Sequence, residues 1–133
     1  MGHEGVKIPG REPVLRVVPM PADMNGNGDI FGGWVMSQCD IAAAIPAMRR
    51  ARGRIATVVV NSFLFKQPIS VGDIVSFYAE IVKVGRTSIT VRVEVFAENY
   101  DSQGRYVKVT EASLTYVAID ASGKPRPLQP PTA

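Results

Sequence analysis

The chain reads as an α+β domain, one helix-forming stretch followed by four long strand-forming ones. Three observations carry that reading. Residues 33–52 collect helix formers, among them Met36, Ala42, Ala43, Ala44, Ala47 and Met48. Residues 55–66, 74–84, 87–98 and 106–119 are rich in β-branched and aromatic side chains and are separated by Gly or Pro. Within the third of these, Ile89, Val91, Val93 and Val95 alternate with Ser88, Thr90, Arg92 and Glu94, the period of a sheet with one buried and one partly wet face.

Taken in order, residues 1–13 form an N-terminal segment expected to be flexible, ahead of a domain spanning 14–120. Residues 14–18 make a short strand, after which Pro19, Pro21 and the Asn25-Gly26-Asn27-Gly28 run force a loop. The helix follows. Pro46 cannot donate to the carbonyl four residues back, so a bend or local rearrangement is expected there, with Asp40 on regular helix before it and Gly53 as the stop. The turns at 67–72, 85–86 and 99–104 allow neighbouring strands to join as antiparallel pairs. Residues 121–133, with Pro125, Pro127, Pro130 and Pro131, make a tail expected to be extended or loose.

At 133 residues there is room for one core, and 46% hydrophobic residues against 20% charged is too apolar for a disordered chain. No apolar run approaches the roughly 20 residues that span a bilayer, so no membrane association is expected. Residues 1–10 lack the apolar middle of a secretory signal, and the one cysteine, Cys39, cannot form an internal disulfide; both lead to the expectation of a cytoplasmic protein. The net charge of +3, with Arg49, Arg50, Arg52 and Arg54 clustered, is too mild and too poor in interleaved aromatics for nucleic-acid binding. A small anion carrying several phosphates fits that charge better.

Asp40 is the most informative residue, because Cys39 and Ile41 flank it in a small, apolar helix where a carboxylate needs a reason; the plain alternative is a solvent-facing helical Asp. At the helix start, Gly32 and Gly33 let a ligand approach the backbone, and the free amides there would polarise a carbonyl and stabilise an oxyanion. Asn25 and Asn27 are turn formers by default, yet an Asn can also donate to one oxygen and accept from a water, orienting it beside a carboxylate base. Other chemistries are poorly supported. His3 is the only histidine, and the chain has no metal-ligand cluster, no phosphate loop ending in Lys and no Gly-x-Ser-x-Gly elbow. No cofactor or metal is expected.

The run Asn25-Gly26-Asn27-Gly28-Asp29-Ile30-Phe31-Gly32-Gly33-Trp34, then Met36-Ser37-Gln38 and Asp40, resembles the bacterial YciA-like acyl-CoA thioesterases. The resemblance continues through Gly53-Arg54, Phe63-Leu64-Phe65-Lys66-Gln67-Pro68, Val71-Gly72-Asp73, Gly85-Arg86-Thr87-Ser88 and Thr110-Glu111-Ala112-Ser113. It implies a hotdog fold, a long central helix wrapped by a curved antiparallel sheet, with protomers pairing through their sheets into dimers and commonly into hexamers. It also implies an active site at the dimer interface, where Asn25 of one subunit faces Asp40 of the other. Asp40 matches the family's catalytic carboxylate, Asn25 its partner, and the amides near Gly32 and Gly33 the carbonyl-polarising helix start. Gly85, Arg86, Thr87 and Ser88 match the turn near the CoA moiety, with Arg54 and Lys66 as further charge for its phosphates.

The expected function is therefore hydrolysis of acyl-CoA to free acid and CoA, with Asp40 as general base or nucleophile. Two alternatives stand beside it. A non-catalytic acyl-CoA binding module would use the same fold. A dehydratase acting on acyl-thioesters would need a histidine in the site, for which His3 is badly placed.

Overall fold

The computed structural model describes residues 6–131. The helix-forming stretch is α1, Gly32–Ala51. Its buried residues Val35, Cys39, Ala42, Ala43, Ala47 and Ala51 recur every three or four positions and so share one face. Four of the six are alanine, which lets the helix lie close against the sheet. Pro46 does not interrupt it. Ala42, Ala43 and Ala47 around the proline are fully buried, so packing holds the turns that lack one hydrogen bond. The helix ends one residue earlier than expected: Arg52, not Gly53, takes the left-handed backbone (φ 54°), its N–H donating to the Met48 carbonyl at 2.8 Å. Gly53 instead passes beneath Arg126, whose Nη2 would lie 2.9 Å from any Cβ at that position.

The strands are β1 (Leu15–Val17), β2 (Ile55–Phe65), β3 (Ile74–Val84), β4 (Ser88–Glu98) and β5 (Tyr106–Ala118), in one sheet ordered β1-β3-β4-β5-β2 with every pairing antiparallel. The turns at 85–86 and 99–104 join neighbours, as expected. The turn at 67–72 does not. β2 pairs with β5 at the far edge from β3. Pro68 has no amide to extend a ladder. Ile69 is buried beneath the start of α1, its carbonyl accepting from Ile30 N–H at 2.9 Å, and the buried Asp73 carboxylate accepts from Ser70 N–H at 2.9 Å. The segment closes one end of the core instead of reversing direction.

That core is sandwiched between α1 and one sheet face. Val75 and Phe77 of β3, Ile89, Val91, Val93 and Val95 of β4, and Leu114 and Tyr116 of β5 are all nearly inaccessible, each large apolar side chain contributing about 1.5–3 kcal/mol. β2 differs: Val58, Val59, Val60, Leu64 and Phe65 each stay roughly half exposed at the sheet edge.

Both ends of the chain are held where they are described. Val6 bridges to Tyr106, and Arg11 donates to the Ala79 carbonyl while its guanidinium lies 5.6 Å from the Tyr78 ring centre. The tail runs extended over the C-terminal end of α1. Arg126 donates from Nη2 to the Ala51 carbonyl at 2.7 Å, and Gln129 accepts from both Arg50 and Arg52.

Candidate active site

Asp40 sits on the sheet-facing side of α1, above the point where β2 and β5 pair Thr57 with Tyr116. Both hydroxyls reach it. Thr57 Oγ1 donates to Asp40 Oδ1 at 2.9 Å, and Tyr116 Oη lies 2.7 Å from the same oxygen and 2.8 Å from the Asp40 carbonyl. The register of β2 shifts immediately after Thr57, the kind of local bulge that re-aims a side chain. Oδ1 is thus held by two donors, while Oδ2 has no hydrogen-bond partner among the described residues.

Two titratable neighbours stay neutral around this carboxylate. Burial first, then the hydrogen bond to Asp40 and its charge, push the Tyr116 phenol far above its ordinary value. Burial and the Asp40 charge push the Cys39 thiol up to about 12, so Cys39 is no nucleophile. Asp40 opens onto a hollow of about 430 Å³ lined also by Gly33, Met36, Ser37, Thr57, Val60, Phe63 and Leu114.

Asn25 lines a different hollow, about 320 Å³, with Asp29, Gly32, Val35, Phe65, Lys66, Gln67 and Thr110 among its walls. Its side-chain carbonyl is committed to the loop, accepting from Asn27 N–H at 2.8 Å and Asp29 N–H at 3.2 Å. The amide Nδ2 remains to donate. The Asn25 acceptor closes an Asx turn.

Gly32 and Gly33 are the first two residues of α1, so their N–H groups have no acceptor one turn back, and no side chain caps this end. Gly32 borders the Asn25 hollow and Gly33 the Asp40 hollow. A Cβ on Gly33 would meet nothing within 4 Å.

The expected substrate-binding residues fall into two groups. Lys66 stands in the Asn25 hollow, 3.8 Å from Glu111; the hydrogen bond from Lys108 holds that carboxyl below its usual value. Arg54, Gly85, Arg86, Thr87 and Ser88 lie at the opposite end of β2, about 40 Å along the strand from Lys66. There Gly85 N–H donates to the Ser88 carbonyl at 2.8 Å, Thr87 and Arg86 carbonyls accept from Ala118 and Leu128, and Arg54 donates to the Ala121 carbonyl. A Cβ at Gly85 would come within 2.6 Å of Ser88 Oγ, so a side chain there would force that hydroxyl to turn away. One protomer does not bring these groups to a single site.

Thr57 and Tyr116 are the site residues that sequence reasoning missed. A signal for Tyr116 existed: it shares the core face of β5 with Ala112 and Leu114, and a buried phenol needs a partner, which the buried-helix acid Asp40 supplies. Thr57 gave none. His3 lies outside the described residues. Among the described residues no three His, Cys, Asp or Glu side chains are grouped as metal ligands, and no helix is long and apolar enough to cross a membrane.

The thioesterase superfamily model matches residues 27–102. The acyl-CoA thioester hydrolase YciA of Salmonella typhimurium is 52% identical over 122 residues, covering 90% of this chain and 92% of that protein. Among solved structures, a hexameric thioesterase from Yersinia pestis superposes with a TM-score of 0.85 at 49% identity, covering 93% of this chain and all of that one. A hexameric hotdog-fold thioesterase of Campylobacter jejuni gives 0.84 at 45% identity, covering 90% and 91%.

Proposed function

This chain belongs to the thioesterase superfamily, among the YciA-like acyl-CoA thioester hydrolases of the hotdog fold, and from that premise we propose that it hydrolyses acyl-CoA at a site shared between two subunits. The observation that carries the residue assignment is the Asp40 carboxylate, gripped at Oδ1 by Thr57 and Tyr116 and free at Oδ2, beside the unsatisfied amide of Gly33.

In the general-base course, Asp40 takes a proton from water as the water oxygen attacks the thioester carbonyl carbon. The carbonyl oxygen gains negative charge and is met by the Gly33 amide, with Gly32 beside it, at the positive end of α1. The C–S bond then breaks, the thiol of CoA leaves with the proton held by Asp40, and the free acid remains. In the covalent course Asp40 attacks the carbonyl carbon, the C–S bond breaks and CoA leaves as the thiolate. Water then hydrolyses the anhydride, freeing the acid and Asp40, and its released proton goes to the thiolate. Both call on a carboxylate oxygen without a protein partner, and on no group beyond water and the chain's own residues.

The partner subunit's Asn25 supplies the amide that orients water or the thioester. Support for a shared site comes from the protomer: Asn25 and Asp40 line separate hollows, and β2, which contributes Phe65 to one and Thr57, Val60 and Phe63 to the other, leaves a half-exposed apolar edge. The similar thioesterases from Yersinia pestis and Campylobacter jejuni are hexamers, and a trimer of dimers is the assembly we assign here. Lys66 at one end and Arg54, Arg86, Thr87 and Ser88 at the other then hold the CoA phosphates from different subunits. The reading places the enzyme in the cytoplasm, in keeping with its single, unpaired Cys39.

CoA release from short, long and aryl acyl-CoAs, followed with a thiol reagent, tests this reading. Turnover in the wild type that falls by about 10²–10⁴ in Asp40→Asn is expected. Tight binding without release from any thioester would instead make the protein an acyl-CoA binding module.

A further inference from the structure

The hydrogen bonding of Asp40 is lopsided. Two hydroxyls converge on Oδ1, none reaches Oδ2, and one of the two, Tyr116 Oη, also lies 2.8 Å from the Asp40 backbone carbonyl. We propose that Tyr116 is a positioning residue for the thioesterase reaction, locking the Asp40 carboxylate so that Oδ2 alone is the oxygen that activates water or attacks the carbonyl. The proposal rests on the function assigned above.

A single phenolic proton serves both acceptors, and the charged carboxylate is the stronger of them. Contact with the helix carbonyl fixes the phenol against the backbone of α1 itself, so Oδ1 is tied to the same rigid turn that carries the Asp40 Cα. A carboxylate free to rotate would present either oxygen and spend much of its time away from the productive geometry, and misplacement of about 1 Å costs up to about 10²-fold in rate. Tyr116 is 1% exposed and stands on β5, paired on both sides by β2 and β4. It is therefore a rigid support. Thr57, on the edge strand next to a register shift, is the less constrained of the two donors.

The charge environment isolates the effect. Facing Asp40 from its own helix is Cys39, a neutral thiol; from β5 comes Tyr116, a neutral phenol; from β2 comes Thr57, which does not titrate. No Lys or Arg pairs with Asp40 among the described residues.

The test is Tyr116→Phe in the full assembled enzyme. The expected result is a kcat lower by about 10- to 100-fold with KM within about twofold and unchanged assembly. A purely structural role would loosen assembly or raise KM along with the fall in kcat, and an unchanged kcat overturns the proposal while leaving the thioesterase intact. Loss of wild-type turnover, or turnover untouched by Asp40→Asn, would strike the functional reading instead. Should Tyr116→Phe not fold, site-specific replacement of Tyr116 by 3-fluorotyrosine keeps the shape and alters only the donor; kcat then changes with KM held, and an unchanged kcat overturns the proposal.

Discussion

The Asn25 side chain is committed at one end only. Its carbonyl closes the loop through Asn27 and Asp29, and its amide has no hydrogen-bond partner among the described residues. Asn25→Asp keeps an acceptor for the turn but loses the donor, and turnover is expected to fall by about 10²-fold with the melting temperature little changed. Asn25→Ala loses both, so it should also destabilise, by about 1 kcal/mol. Steady-state kinetics beside thermal denaturation separates the two; equal stability of the variants would contradict the Asx role. Asp40 was legible in the sequence because a carboxylate among Cys39, Ile41 and Ala42 is out of place on an apolar helix. Thr57 was not. Its role depends on a register shift in β2 that follows from pairing with a strand some fifty residues away, which no local pattern records.

The elements were readable wherever their signals are local. The period of β4, the Ala-rich face of α1 and the hairpin turns at 85–86 and 99–104 all follow from neighbouring residues. The segment 67–72 looked like another hairpin because its Pro and Gly mark a break in either topology, and only the burial of Ile69 beneath α1 distinguishes them. The helix terminus was misjudged by one residue for the same reason: Arg126, arriving from the tail, occupies the space beside Gly53 and bonds the Ala51 carbonyl. Arg126→Ala should leave that helix end without its charged donor and lower stability by about 1 kcal/mol, a fall of about 3 °C in melting temperature by calorimetry. An unchanged melting curve would show that the tail lies on α1 without supporting it.

At the scale of the whole molecule, the protomer holds the parts of a site without closing it. The carboxylate is in one hollow, the free amide of Asn25 in another, and an apolar strand edge stands open between sheet and solvent. Composition does not reveal this, because an exposed Val58-Val59-Val60 run reads like any buried strand until its position at the sheet edge is known. The most direct test of a shared site is co-expression of Asn25→Asp and Asp40→Asn chains, each inactive alone, followed by the CoA-release assay. Random pairing makes half the dimers mixed and gives each mixed dimer one intact site, so the account predicts recovery of roughly a quarter of wild-type turnover. Activity that stays at the level of the separate variants would place Asn25 and Asp40 in the same subunit's site and contradict it.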